Sequence, residues 1–290
     1  LRPETVALLN SISIKARMVV EGYIIGQHKS PYHGFSVEFV EHRSYEPGDE
    51  IKHIDWKLFG KTNKLYVKRY EEETNLRAHL LLDTSKSMFY KSGLVSKIEY
   101  SSYLFAALSY LMIKQQDAAG VVLFDDKIQK YIPPKSTPKH LNLLLDALEV
   151  KSPGNDTKIE KVLHEMADKI KKRGLIILIS DLLDDKENIM KGLKHFRHNN
   201  QEVIVFHILD RKEYDFDFDE RVRFKDMESG QEITTEPWHI RKEYQNIMDK
   251  LQLYYTRECR NNHIDYVPLY TDYDLDIGIT KYFKKRQRLG

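Results

Sequence analysis

The sequence predicts an α/β protein in which a mostly parallel sheet carries helices on both faces, with a small β-rich extension at the N-terminal end. Two observations predict it. Four short apolar runs, Ala78–Leu82, Gly120–Phe124, Leu175–Ile179 and Val203–Leu209, have strand length and are rich in β-branched and large aliphatic residues. Such runs suit strands covered on both faces. Between them lie segments with apolar residues at helical spacing, and strands alternating with helices argue for parallel pairing.

The elements follow in order. From Pro3 to about Glu21, Leu9, Ile12, Ala16 and Val19 recur at helical spacing. Gly22, Gly26, Pro31, Gly34 and Pro47-Gly48-Asp49 then break regular structure, with strand-like pieces around Ser36–Val40 and Leu65–Tyr70. Residues 1–77 read as a helix and β-rich extension, and residues 78–290 as the α/β domain. Inside the domain, Tyr100, Leu104, Ala107, Leu108 and Leu111 mark one apolar helical stripe. Ile159, Val162, Leu163, Met166 and Ile170 mark another. Ser96 with Glu99 supplies a capping box for the first. From Asp215 to Glu236 the rhythm changes: Val222 and Phe224 alternate with charged residues and Ser229-Gly230 offers a turn. The stretch 215–236 therefore reads as an inserted β-hairpin. A long helix from about His239 to Arg257, a strand near Tyr266–Leu269 and a basic terminal helix complete the chain.

Composition bounds the function. With 290 residues, 41% hydrophobic and 31% charged, the chain is globular. Cys259 is the single cysteine, so no internal disulfide forms; a reducing compartment, and hence a cytoplasmic location, is expected. No apolar run approaches the ~20 residues that cross a bilayer, and no signal peptide stands at the start. A formal charge of +2 and a pI near 8.3 fall short of the domain pI above about 9 that points to nucleic acid. Lys57, Lys61, Lys64, Lys68 and Arg69, beside Trp56, Tyr66 and Tyr70, form one basic cluster. Lys281, Lys284, Lys285, Arg286 and Arg288 form a second. Interleaved aromatics suit single-stranded nucleic acid, but Glu71, Glu72 and Glu73 beside the first cluster favour a solvated strand face. The second suits a helix C-terminus whose cations complement the dipole.

In an open α/β sheet, ligands bind beyond the carboxyl ends of the strands. The first core strand ends in Asp83-Thr84-Ser85-Lys86-Ser87. A carboxylate and two hydroxyls at alternate positions can converge on a small hard cation, which prefers oxygen ligands. Asp and Ser also start turns everywhere, and for this pattern alone that ordinary reading is favoured. Its place directly after the first apolar strand changes the balance. Asp181 ends the strand-like run Leu175–Ser180, and Thr157 lies in Gly154-Asn155-Asp156-Thr157 before a helix, where it also makes a capping box with Glu160.

Asp83, Ser85, Ser87, Thr157 and Asp181 in this order resemble the metal-ion-dependent adhesion site of von Willebrand factor type A domains. Upstream, His42-Arg43-Ser44-Tyr45-Glu46-Pro47-Gly48-Asp49-Glu50, Ile54-Asp55-Trp56 and Tyr70-Glu71-Glu72-Glu73 resemble the domain of unknown function 58 family, as do Phe224-Lys225-Asp226 and Tyr270-Thr271-Asp272. The resemblance covers nearly the whole chain. It implies a Rossmann-like type A domain with an N-terminal β-rich extension, often encoded beside MoxR-type AAA+ ATPases. It also implies that Ser85, Ser87 and Thr157 touch the metal directly. Asp83 and Asp181 complete the shell, and an Asp or Glu of a partner protein takes the open position. Mg²⁺ is the expected ion, with Mn²⁺ and Ca²⁺ compatible. In one departure, Leu182 follows Asp181 where many type A domains have Gly.

The main enzymatic rival is a phosphohydrolase of the haloacid dehalogenase type, with Asp83 as nucleophile and Asp181, Asp184 or Asp185 holding Mg²⁺. That chemistry wants a second carboxylate two positions after the nucleophile as acid/base, where Ser85 stands. His164-Glu165 begins like a zinc-protease helix, but Asp168 replaces the second histidine. Cys259 reads as packing, and no phosphate-binding G-x-x-x-x-G-K-[ST] sequence is present. A metal-dependent protein-binding or adaptor module without catalytic residues is the expectation.

Overall fold

A computed structural model describes residues 2–9, 11–28, 42–45, 56–68, 76–149, 158–218, 222–225, 232–235 and 237–288. Two compact units are distinguished: Leu1–Gly26 with Leu76–Gly290, and Gln27–Asn75.

The larger unit is built on a six-stranded sheet of β3 (Arg77–Asp83), β4 (Ala118–Phe124), β5 (Ile128–Lys135), β6 (Leu175–Ser180), β7 (Glu202–Leu209) and β10 (Asp265–Tyr270). Their spatial order is β10-β7-β6-β3-β4-β5, with every pair parallel except β4 and β5. The chain runs from β3 outward through β4, then returns to the other side of β3 with β6. The order therefore reverses between β3 and β6, and a crevice opens at their carboxyl ends.

Both faces of the sheet are apolar because alternate residues serve different cores. Leu80, Leu82, Val121, Ile177, Ile179, Phe206 and Leu269 face one cluster. It is completed by α4 (Lys97–Lys114), α5 (Pro138–Ala147) and α10 (Asp276–Arg286). Leu81, Val122, Phe124, Ile176, Leu178 and Val205 face the second, completed by α6 (Ile159–Lys169), α7 (Lys186–His198) and α9 (Pro237–Asn261). The expected sheet with helices on both faces is present. Ser96 and Glu99 form the expected capping box of α4. An inserted hairpin pairs β8 (Val222–Lys225) with β9 (Glu232–Thr235), while its expected turn at Ser229-Gly230 lies outside the described residues.

Two features differ from the sequence expectation. The N-terminal helical segment divides into α1 (Pro3–Ala7) and α2 (Ile12–His28), and Val6, Ala16, Val19, Val20 and Tyr23 belong to the first core. The Tyr23 ring stacks on Phe283 of α10 at 5.6 Å. Leu1–Gly26 thus clusters with the α/β unit rather than with a single 1–77 extension. The edge strand β5, which carries Pro133 and Pro134, was not among the expected elements. Prolines are tolerated at a sheet edge, and only Ile132 and Pro134 of β5 are buried.

In the smaller unit, β1 (His42–Ser44) pairs antiparallel with β2 (Tyr66–Lys68), and α3 (Trp56–Thr62) lies between them in sequence. The expected strand around Ser36–Val40 lies outside the described residues.

Candidate metal centre

The centre is assembled at the reversal point. Asp83 is the last residue of β3, one position beyond the ladder pair Leu82–Ile179, and is fully buried. Thr84 anchors the loop that follows: its N–H and hydroxyl donate to the Phe124 carbonyl at 2.8 and 2.9 Å. The loop then turns back. The Ser85 N–H donates to Asp83 Oδ1 at 2.9 Å, and Ser85 opens a short 3-10 turn, Lys86–Phe89. This brings the Ser85 and Ser87 hydroxyls to 3.1 Å from each other, both buried.

From β6, Ser180 donates its hydroxyl to Asp83 Oδ2 at 2.6 Å. Both carboxylate oxygens of Asp83 are thereby used and the ends of β3 and β6 are tied together. Burial, with the Asp181 charge as the next cause, pushes the Asp83 carboxyl up to about 7. A cation placed between these carboxylates relieves that repulsion.

Asp181, 2% exposed, takes a hydrogen bond on Oδ2 from the Lys97 ammonium at 2.9 Å. Lys97 is 0% exposed and also donates to Glu213 Oε2 at 2.9 Å. Glu213 belongs to α8 (Arg211–Asp215), capped by Asp210, which accepts from the Lys212 and Glu213 N–H groups. His207 of β7 lies within hydrogen-bonding distance of the Asp181 carbonyl through Nε2, 2.9 Å, and of the Tyr266 hydroxyl through Nδ1, 2.6 Å. Burial holds its ring down to about 4, so it is neutral at pH 7.

Leu182 stands where many type A domains have Gly, and its backbone is left-handed, with φ 53°. Its N–H donates to the Ser180 hydroxyl at 3.0 Å, and its side chain is buried in the second core. The turn that presents Asp181 thus keeps a glycine-like conformation despite the substitution.

Of the five expected ligands, Asp83, Ser85 and Ser87 are joined directly by hydrogen bonds, and Asp181 meets Asp83 through the strand end at Ser180. Thr157 lies outside the described residues. The donors are hydroxyl and carboxylate oxygens only, the chemistry of Mg²⁺, Mn²⁺ or Ca²⁺. Among the described residues, no group of three or more His, Cys, Asp or Glu converges to hold a metal ion.

Other sequence candidates have structural roles. Asp184 accepts from the Ile159 N–H at the start of α6. Asp185 caps α7 through the Glu187 and Asn188 N–H groups. Cys259 packs 3.9 Å from Met190 Sδ, and burial pushes its thiol up to about 12. Lys281 and Lys285 pair with Asp265, Lys285 also with Glu202, and Arg286 pairs with Asp117. Sequence reasoning passed over Ser180, Lys97, Glu213 and His207. Only His207, a polar residue inside the apolar run Val203–Leu209, was visible as an anomaly.

Comparisons place this architecture among known proteins. Rv1480 of Mycobacterium tuberculosis and Mb1516 of Mycobacterium bovis, both uncharacterized, are each 22% identical over 292 aligned positions, covering 99% of this chain and 91% of theirs. The crystal structure of the conserved hypothetical protein BatB from Bacteroides thetaiotaomicron is similar with a TM-score of 0.50 at 15% identity, over 73% of this chain and 98% of that one. The SpRpn10 VWA domain gives 0.39 at 12% identity, over 71% and 95%. Among the described residues no helix is long and apolar enough to cross a membrane. The model of the family described as protein of unknown function DUF58 matches residues 41–252, and the chain belongs to that family.

Proposed function

We propose that the protein is a divalent-metal-dependent protein-binding module, an adaptor in which a bound cation accepts an Asp or Glu from a partner. The observation that carries this reading is the meeting of the Ser85 and Ser87 hydroxyls at 3.1 Å beside two buried carboxylates at the reversal of strand order. Ser85, Ser87 and Thr157 would hold the ion, and Asp83 and Asp181 would orient its waters. When bound, the ion supplies an electropositive position. Hydroxyl ligands leave it under-neutralised, which favours one more carboxylate. The chain's own residues supply rigidity: Ser180 and the Ser85 N–H fix Asp83, and His207 fixes the Asp181 backbone. A MoxR-type AAA+ ATPase, acting in complex assembly or maturation, is the partner class that the family resemblance supports.

The phosphohydrolase alternative gains little support from this geometry. An in-line nucleophile needs a free carboxylate oxygen facing the substrate, whereas Asp83 is fully buried with both oxygens engaged.

Calorimetric titration with Mg²⁺ and Mn²⁺, and partner capture with Mg²⁺ or chelator, test the proposal on wild type and Asp83→Ala. Metal binding and metal-dependent capture should both disappear in the variant while its circular dichroism is retained. Identical partners in all four samples, or turnover of a phosphomonoester lost in Asp83→Asn, would overturn it.

A further inference from the structure

Lys97 is the residue that ordinary folding rules account for least. It is the first residue of α4, directly after the N-cap Ser96, where the helix dipole disfavours a cation. A fully buried ammonium is costly unless carboxylates compensate it. Its partners come from two other loops of the same sheet end: Asp181 after β6 and Glu213 in α8, each at 2.9 Å. Asp210, the cap of α8, also accepts from the Ser92 N–H at 3.2 Å, so the loop before α4 and the segment holding Glu213 are joined at a second point. One ammonium does not balance the carboxylates of Asp83, Asp181 and Glu213 when all are ionised. In that state a second cation would complete the balance, and Asp181 is bonded to Lys97 on one side while its neighbour Ser180 is bonded to Asp83 on the other.

We propose that Lys97 is a tethered competitor of the metal, sharing Asp181 with it, and that Glu213 sets how much of Asp181 the ammonium leaves to the ion. The inference rests on the metal-binding reading above and adds to it a means by which the chain tunes its own affinity. Two like charges drawing on one carboxylate weaken each other, by tenfold or more across a few ångströms of protein interior. Removing the ammonium therefore tightens metal binding. Removing the Glu213 charge confines the ammonium to Asp181 and loosens it. The two substitutions act in opposite directions, which loss of structure alone does not produce.

The test measures Mg²⁺ and Mn²⁺ affinity by calorimetry, and the metal-induced rise in thermal midpoint, for wild type, Lys97→Met, Lys97→Arg and Glu213→Gln. Lys97→Met should bind at least tenfold more tightly and gain more in midpoint on adding metal. Glu213→Gln should bind several-fold more weakly, and Lys97→Arg should stay near wild type. Binding by Lys97→Met alone also supports the competition. Wild-type binding that is unchanged or weakened in Lys97→Met overturns it and leaves the metal reading standing. No binding by any protein removes both. Should Lys97→Met fail to fold without metal, Glu213→Gln decides: weaker binding supports the competition, and unchanged or tighter binding overturns it.

Discussion

Replacing Leu182 by Ala and by Gly should reverse the usual ranking of those two residues. At an ordinary position Gly is less stable than Ala by about 0.5–1 kcal/mol, because the unfolded chain gains freedom. Leu182 is not ordinary: its φ is 53° while its side chain is 1% exposed in the second core. Truncation to Ala removes the buried leucine at a cost of about 2–5 kcal/mol, and it keeps the left-handed strain of about 1–2 kcal/mol. Truncation to Gly loses the same packing but releases that strain. Subtracting the unfolded-state term leaves Gly about equal to Ala or up to ~1.5 kcal/mol more stable. Urea denaturation of the two variants side by side measures this, the shared cavity cancelling in the difference. Gly less stable than Ala by the ordinary margin would refute a left-handed backbone at 182, and with it the account of how Asp181 is presented. Metal affinity should survive Leu182→Gly, since the turn that orients Asp181 is then relaxed rather than altered.

Two further outcomes follow from the fold. His79 is 6% exposed, stacks on Tyr131, and is held down to about 4, mainly by burial and then by Arg77. Its folded value lies below its unfolded one near 6.5, so the unfolded chain binds more protons between them, and stability is lost as pH falls from about 6.5 to 4. His79→Phe should make the decline over that window shallower by on the order of 3 kcal/mol, read from denaturation midpoints at each pH; an unchanged slope counts against a buried neutral ring. Gly120 lies at the irregularity between β4 and β5, where an added Cβ would meet the Ile132 oxygen and the Pro134 nitrogen at 2.7 Å each. These are backbone atoms, so Gly120→Ala should cost about 1–3 kcal/mol by overpacking, and a neutral result in urea would show that the edge strand yields.

The half of the site carried by one contiguous stretch was legible in the sequence. Asp83, Ser85 and Ser87 follow an apolar run, and Asp181 follows another, so the pattern alone puts them at strand ends. What the sequence did not disclose was pairing at long range. Lys97, coming straight after a capping serine, looks like a solvent lysine on a helix, and nothing local announces that residues 84 and 116 positions further on neutralise it. Ser180 looked like the tail of a strand because its bond to Asp83 spans 97 positions. The edge strand β5 was hidden for another reason: its alternation is interrupted by two prolines, whose missing donors matter only when a neighbour exists on both sides. The first two helices were misassigned to the extension because amphipathic spacing tells which face is buried, not what covers it.

The distribution of cost in the fold bears on whether the loop ends form a site or merely cap strands. Turn-capping Asp and Ser residues normally sit near water, where they satisfy backbone donors at little expense. Here Asp83, Asp181 and Lys97 are desolvated, and Leu182 holds a backbone conformation that disfavours its own side chain. Burying an unbalanced carboxylate pair and straining the residue beside it both lower stability. A purely structural turn would be better made with a neutral residue at 83 and glycine at 182. This expense gathers at the end of the sheet where the strand order reverses, and it is offset by two continuous apolar cores. Local cost at a crevice supported by a rigid remainder is what a pre-organised binding site requires. It is also why the sign of the metal's effect matters more than its size: a cation that binds this end should stabilise the protein by removing a penalty already built into it, and the penalty should be largest in the variant that lacks Lys97.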